Sequence, residues 1–216
     1  MKWDDTKCCP FLFCIMMNAD PEKLGTPERV EKLKSVLSRR QTDITIVLEN
    51  VDDPHNVSAV LRSCDATGIL NVHLVYRNDK FPNLGERSSA SARKWVHQIQ
   101  HDSIEGCYNH LRNEGKTILT THLTSSAIGL YEVDFTKPLA IVFGNEHSGV
   151  TEEAISKADG NMLIPQAGIV QSLNISVACA VTLFEAYRQR MKAGLYDQPQ
   201  LTSEVLNDTL CEWLMK

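Results

Sequence analysis

Aromatic side chains are scarce in this 216-residue chain, at 6%. Long apolar runs are missing as well: no stretch approaches the roughly 18–20 residues that cross a bilayer. The 11 glycines and 8 prolines follow no repeat, which removes the fibrous and low-complexity classes. A disulfide framework is also lacking. Seven cysteines is an odd number and none stands in a C-x-x-C pair, so a reducing, cytoplasmic setting fits best. Cys8, Cys9 and Cys14 are three possible metal ligands without a fourth nearby, and no metal is expected. No G-x-G-x-x-G follows the first apolar strand, which argues against a dinucleotide oxidoreductase.

Enough remains for a sizeable core. The chain is 43% hydrophobic and 23% charged, a globular composition whose length suits one domain with an appended segment. Net charge is −5, yet it is unevenly spread. The stretch 77–94 carries Arg77, Lys80, Arg87, Arg93 and Lys94 against Asp79 and Glu86, while 195–216 is acidic. A polyanion meets local potential, so the acidic total excludes no nucleic-acid partner. Residues 1–25 read as a poorly ordered extension. Their apolar run 8–17 is broken by Pro10, has its lysines offset by Asp4 and Asp5, and precedes no A-x-A site, unlike a signal peptide; Met17 offers an alternative start.

From Thr26 onward the pattern is regular. Thr26-Pro27-Glu28 opens a helix over 27–40 with Val30, Leu33 and Leu37 on one face and Arg29, Lys32, Arg39 and Arg40 on the other. Strands are expected at 44–48, 72–76, 117–123, 139–143 and 161–165, helices at 57–66, 103–114 and 172–190, and a short helix capped by Thr151. Strands without in/out alternation, separated by helices, predict an α/β domain with a mostly parallel sheet covered on both faces. Ligands in such sheets sit beyond the carboxyl ends of the strands, where the unusual loops 52–56, 124–127, 144–149 and 166–172 fall.

Three constellations carry chemistry. Gly144-Asn145-Glu146-His147-Ser148-Gly149-Val150-Thr151 has phosphate-loop glycine spacing, but Val150 stands in the lysine position and Glu146 would repel a triphosphate. A carboxylate in a glycine-bracketed turn suits a cationic or hydroxyl-rich ligand, although an exposed loop acid is the commoner case. Asn56 and Arg62 lie six apart; they converge only if Asn56 stands at or before a helix N-cap and Arg62 points back to it. Apolar neighbours around Arg62 suggest a guanidinium in want of an anion such as phosphate. Finally, Ile164-Pro165-x2-Gly168-x3-Ser172-Leu173-Asn174-x-Ser176 joins a strand end, a loop and a helix start whose hydroxyls and amides either cap the helix or meet a polar ligand.

In order and spacing, these three constellations resemble the motifs of the SPOUT superfamily of RNA methyltransferases, most closely the TrmH-type tRNA guanosine 2′-O-methyltransferases. The resemblance runs from about residue 27 to residue 196. It implies a deep C-terminal trefoil knot, an exception to the rule against knots, with an N-terminal helical extension. It further implies a methyltransferase domain over 26–196, with 197–216 as a helical tail. The implied cofactor is S-adenosylmethionine, held by Thr121, Gly144, Glu146, Ile164 and Leu173, and the implied assembly is a homodimer packed through long helices such as 172–190. Asn56, Arg62, Glu146, Ser172 and Asn174 are the implied catalytic residues, with no metal. The family role for Arg62 is deprotonation; an arginine pKa above about 12 makes a phosphate and oxyanion clamp the better physical reading. The implied substrate is guanosine 18 of the tRNA D loop, bound with help from Arg29, Arg39, Arg40, Arg87, Arg93 and Lys94. The alternatives are a wobble ribose, ribosomal RNA, or a catalytically silent RNA-binding dimer.

Overall fold

The computed structural model describes residues 20–76, 92–124, 127–169 and 172–216. In chain order they form α1 (Pro27–Leu37), β1 (Ile44–Glu49), α2 (Pro54–Thr67), β2 (Asn71–Val75), α3 (Ala92–Trp95), β3 (His97–His101), α4 (Ile104–Asn113), β4 (Thr117–Thr121), β5 (Ile128–Gly129), β6 (Leu139–Phe143), α5 (Glu152–Lys157), β7 (Gly160–Leu163), α6 (Ile175–Lys192) and α7 (Ser203–Leu214). Short 3-10 turns sit at Pro21–Lys23 and Leu130–Glu132. The chain divides into two compact units, 41–196 and the combination of 1–40 with 197–216. Helix α1 therefore groups with the tail and not with the domain expected to begin at residue 26. The basic segment 77–91, with Arg87, and most of the expected N-terminal extension lie outside the described residues.

The larger unit is organised by a seven-stranded sheet in the order β3-β2-β1-β6-β4-β7-β5, every pairing parallel. β1 and β6 lie at its centre with all positions buried, which is why β6 is an unbroken apolar run and β1 is apolar apart from Thr45 and Glu49, both hydrogen-bonded. Ile44, Ile46 and Leu48 face one core, shared with Val57, Val60 and Leu61 of α2 and Cys179 and Leu183 of α6. Val47, Ala140 and Val142 face the other, with Cys107, Tyr108 and Leu111 of α4 and Ala154 of α5. Helix ends follow side-chain chemistry. Thr26, Ser103 and Thr151 accept a backbone N–H at the starts of α1, α4 and α5. Gly68 (φ 83°) ends α2 in the left-handed conformation that a side chain resists.

Two strands carry no clear sequence signal. β3 reads His97-Gln98-Ile99-Gln100-His101, polar because it is a half-exposed edge strand paired on one side with β2. β5 is only two residues long. Helix α2 begins at Pro54 with Asp53 as its cap, so Asn56 belongs to the first turn and does not cap it. Helix α6 begins at Ile175, capped by Asn174, which leaves Ser172 in the preceding loop.

In the smaller unit α1 packs on α7, burying Val30, Leu33 and Leu37 on one side and Leu210, Trp213 and Leu214 on the other. Arg40 belongs to this packing. It is fully buried, with its guanidinium 5.1 Å from the centre of the Trp213 ring. That corrects its expected place on an RNA-facing surface: the cation is spent on an aromatic face inside the unit. Arg29 and Arg39 are exposed as expected, as are Arg93 and Lys94 of the larger unit.

Within the larger unit a second buried guanidinium ties distant segments together. Arg190 of α6 donates from Nε to Gln41 Oε1 at 2.9 Å, from Nη1 to the Phe135 carbonyl at 2.8 Å, and from Nη2 to the Asp43 carboxylate. Removing one partner of a buried pair strands the other in low dielectric. Arg190→Ala is therefore expected to lower stability by about 3 kcal/mol, read as an earlier midpoint in urea denaturation.

Candidate active site

The sheet brings the carboxyl ends of β1, β6, β4 and β7 side by side, and the loops leaving β4, β6 and β7 meet in one pocket. Its cavity of about 560 Å³ is lined by residues from 121–123, 143–149, 162–166 and 172–178. Thr121, Gly144, Glu146, Ile164 and Leu173 all line it, and so do Ser172 and Asn174. These residues are separated by up to 53 positions in sequence, and parallel crossovers are what bring them together.

The turn after β6 is tightly closed. Asn145 and Gly149 exchange backbone hydrogen bonds of 3.0 and 2.9 Å, and Asn145 Oδ1 accepts from the amides of His147 and Ser148. A Cβ at position 144 would stand 2.1 Å from the Gly149 carbonyl carbon, so only glycine passes there. Gly149 itself has φ 70°. The far end of the turn is anchored to β1, since buried Glu49 accepts from the Thr151 amide at 2.9 Å and its hydroxyl at 2.5 Å. Val150, in the place of a phosphate-loop lysine, is buried in the core, which removes the phosphate-loop reading.

Asn56 links the three constellations. Its Nδ2 donates to Glu146 Oε1 at 2.8 Å, and its Oδ1 accepts from Asn174 Nδ2 at 3.1 Å. Asn174 Oδ1 in turn accepts from the Ser176 amide and hydroxyl at 2.9 and 2.6 Å. The amide dipoles thus run in one direction, from α6 through Asn56 to the Glu146 carboxylate, which also accepts from the Asp52 amide at 3.4 Å. Asn56 does not line the cavity; it positions two residues that do. Nearby, the Tyr76 hydroxyl donates to the Val51 carbonyl at 2.8 Å. Burial, followed by the Glu146 and Asp52 carboxylates, pushes that phenol well above its ordinary value and keeps it a donor.

Sequence reasoning passed over Asp52, Asn50 and Asn145. The Asn145 side chain donates to the Asn50 carbonyl and to Asp52 Oδ2, both at 2.8 Å, locking the loop after β1 to the turn after β6. Asn50 has φ 51°, a left-handed conformation that asparagine tolerates. Its place beside Asp52-Asp53-Pro54 was the available signal. Arg62 is the residue not brought in. It stands exposed on α2, without a hydrogen bond among the described residues and without the convergence on Asn56 that its spacing allowed. Helical rotation carries it out of the apolar neighbourhood expected from the sequence.

Known proteins share this architecture. The sequence profile of the SpoU rRNA Methylase family matches residues 43–184. The chain belongs to the SpoU methylase family. A Thermus thermophilus relative called tRNA (guanosine(18)-2′-O)-methyltransferase is 48% identical over 191 residues, 88% of this chain and 98% of its own length. Among solved structures, the Aquifex aeolicus TrmH/SpoU tRNA modifying enzyme superposes with a TM-score of 0.82 at 36% identity, covering 87% of this chain and 95% of that one. A Sinorhizobium meliloti rRNA methyltransferase, solved with AdoMet bound, gives 0.62 at 28% identity over 72% of this chain and 59% of its own.

With Asn56→Ala, Glu146 and Asn174 lose their common partner while α2 keeps its Asp53 cap. A stability loss of about 1–3 kcal/mol is expected, with faster amide exchange at Asp52 and across 146–149. Exchange that stays as slow as in the parent chain would mean that Glu146 is held by other contacts.

Proposed function

We propose that this chain methylates the ribose 2′-hydroxyl of guanosine 18 in the tRNA D loop, using S-adenosylmethionine. The observation that carries this reading is the junction at Asn56, which draws the loop after β6 and the start of α6 into one pocket. The choice of tRNA over ribosomal RNA is supported by the Thermus relative, matched over nearly its whole length under a tRNA name.

The pocket suits the cofactor. Gly144 leaves a cradle that any Cβ would fill, and Phe143, Ile164, Leu173 and Ala178 offer apolar surface for an adenine. Thr121, whose hydroxyl donates to the Val142 carbonyl at 3.0 Å, and Glu146 supply polar edges for hydroxyl and ammonium groups. Bound there, S-adenosylmethionine would provide an electrophilic methyl group on a sulfonium. Ser172 and Asn174 then hold the ribose, and Glu146, oriented by Asn56, fixes the loop around it. Arg62 clamps a phosphate and stabilises the developing oxyanion; no metal enters the step.

A homodimer belongs to this reading. Val177, Phe184 and Met191 recur every seventh residue on α6 and are 48%, 53% and 46% exposed, an apolar stripe for a second copy. Helix α2, which bears Arg62, packs on α6, so pairing through α6 gives that exposed guanidinium a route to a pocket across the interface. The trefoil knot expected around 144–174 is part of the same proposal. Arg29, Arg39, Arg87, Arg93 and Lys94 remain the RNA-binding cations, and a tRNA substrate implies the cytoplasm. No helix among the described residues is long and apolar enough to cross a membrane.

Mass mapping of tRNA treated with the purified chain and S-adenosylmethionine is expected to find ribose methylation at guanosine 18. Methylation at the wobble position or in ribosomal RNA, or none at all, would sink the substrate assignment. Arg62→Ala should abolish transfer while cofactor affinity, measured by calorimetry, stays nearly unchanged. Binding of tRNA should weaken steeply between 50 and 200 mM salt, by roughly tenfold or more, since each phosphate contact releases a counterion.

A further inference from the structure

The face of the sheet covered by α4 carries a cluster that this reaction leaves unused. His73 lies on β2, His101 ends β3, Cys107 and His110 stand on α4, and Glu114 follows it. His73 Nδ1 and His101 Nε2 face each other at 2.9 Å, their rings nearly parallel at 18°. One donor atom from each of His73, His101 and Cys107 can be chosen so that all lie within 4.8 Å of one another. His73 is fully buried, and among the described residues its Nε2 has no hydrogen-bond partner. An imidazole nitrogen left unpaired in the interior is costly.

We propose that His73, His101 and Cys107 form a binding site for one borderline divalent cation, zinc being the type case. Two imidazoles and a thiolate favour Zn²⁺ or Co²⁺ over Mg²⁺ and Ca²⁺, which prefer oxygen. The two facing nitrogens are now bridged by a proton, and the rings turn to admit an ion in its place. On binding, that proton moves to an outer ring nitrogen, the Cys107 thiol gives its proton to solvent, and a water takes the fourth position. Bonds of about 2.0–2.1 Å place two tetrahedral nitrogens roughly 3.3 Å apart, so the rings separate by only a few tenths of an ångström.

The surroundings suit a dication. Burial, then His101, His110 and Lys116, pull His73 down to about 3, so its ring stays neutral with a lone pair to give. Lys116, the buried ammonium in the neighbourhood, is paired with Glu114. Burial, then Glu49, pushes the Cys107 thiol up to about 12, so it gives up its proton only to an ion that takes its place, while burial and then His110 lower His101 against the opposing pull of Asp102. His110 and Glu114, which also meet His73 within 4.8 Å, are the acceptors at hand for an outer ring N–H, the support that ligating histidines usually receive. None of these residues lines the methyltransferase pocket, so the sequence expectation of a metal-free reaction is untouched.

The test uses the full chain carrying Cys8→Ser, Cys9→Ser and Cys14→Ser, which removes the N-terminal thiols as competing ligands. Cobalt(II) titration is expected to produce sulfur-to-cobalt charge transfer and the intense visible bands of a tetrahedral site, saturating at one ion per chain and bleached by zinc. Cys107→Ser should erase the charge-transfer band, and His101→Gln should weaken cobalt affinity by about tenfold or more. Absence of the band, or its survival in Cys107→Ser, overturns the proposal. Should Cys107→Ser fail to fold by circular dichroism, half-buried His101 decides: unchanged cobalt affinity in His101→Gln overturns it equally.

Discussion

A single carboxamide, that of Asn56, determines how the active-site loops can sit. It donates one Nδ2–H to Glu146 and accepts from Asn174 through Oδ1, so movement of either partner leaves one side of the amide unmet. Each hydrogen bond contributes only about 1 kcal/mol net, but an unpaired, half-buried donor or carboxylate costs more than the bond yields. Glu49 makes a second tie of the same kind, from the floor of β1 to Thr151 at the exit of the turn. Between these anchors the turn 144–149 has little freedom, and Gly144 has none to spare for a side chain.

The location of the pocket follows from the sheet. In an all-parallel sheet every strand exits at the same edge, so loops far apart in sequence must crowd together there. β6 lies between β1 and β4, and β7 lies beyond β4, which places the loop after residue 143 beside the loops after 49, 121 and 163. A polar site can form at that edge because the strands themselves satisfy their backbone groups in the ladder, leaving side-chain amides to link the loops.

Much of this was legible in the residues. β1 and β6 are buried on both faces, so their apolar runs were unambiguous, and caps such as Thr26, Ser103 and Thr151 marked helix starts one residue at a time. The five residues that the family resemblance named, Thr121, Gly144, Glu146, Ile164 and Leu173, all line the pocket. What escaped depended on tertiary context. β3 is an edge strand whose polar, half-exposed sequence has no periodic signature. Asn56 reads as a cap in isolation, yet Asp53 takes that role and frees its amide for Glu146. Arg40 sits in a basic helical sequence that predicts solvent, but Trp213, 173 positions later, claims its guanidinium. Arg62 is the converse case, an arginine among apolar neighbours in sequence that helical rotation turns outward.

The two faces of the sheet divide the chemistry, and this bears on what an ion at His73 would do. His73 shares the α4 face with Val75 and Cys107, while the pocket opens at the strand ends. An ion held there would join β2, edge strand β3 and α4 through one ligand each. Edge strands are the least protected part of a sheet, and β3 contributes few apolar contacts of its own. Metal affinity at such a point enters directly as folding free energy, since the unfolded chain has no preformed site. The consequence is a cross-link that stabilises the weakest strand without altering the geometry at Asn56. Stability and methyl transfer can then respond separately to the metal, the former strongly and the latter only as far as the whole sheet loosens.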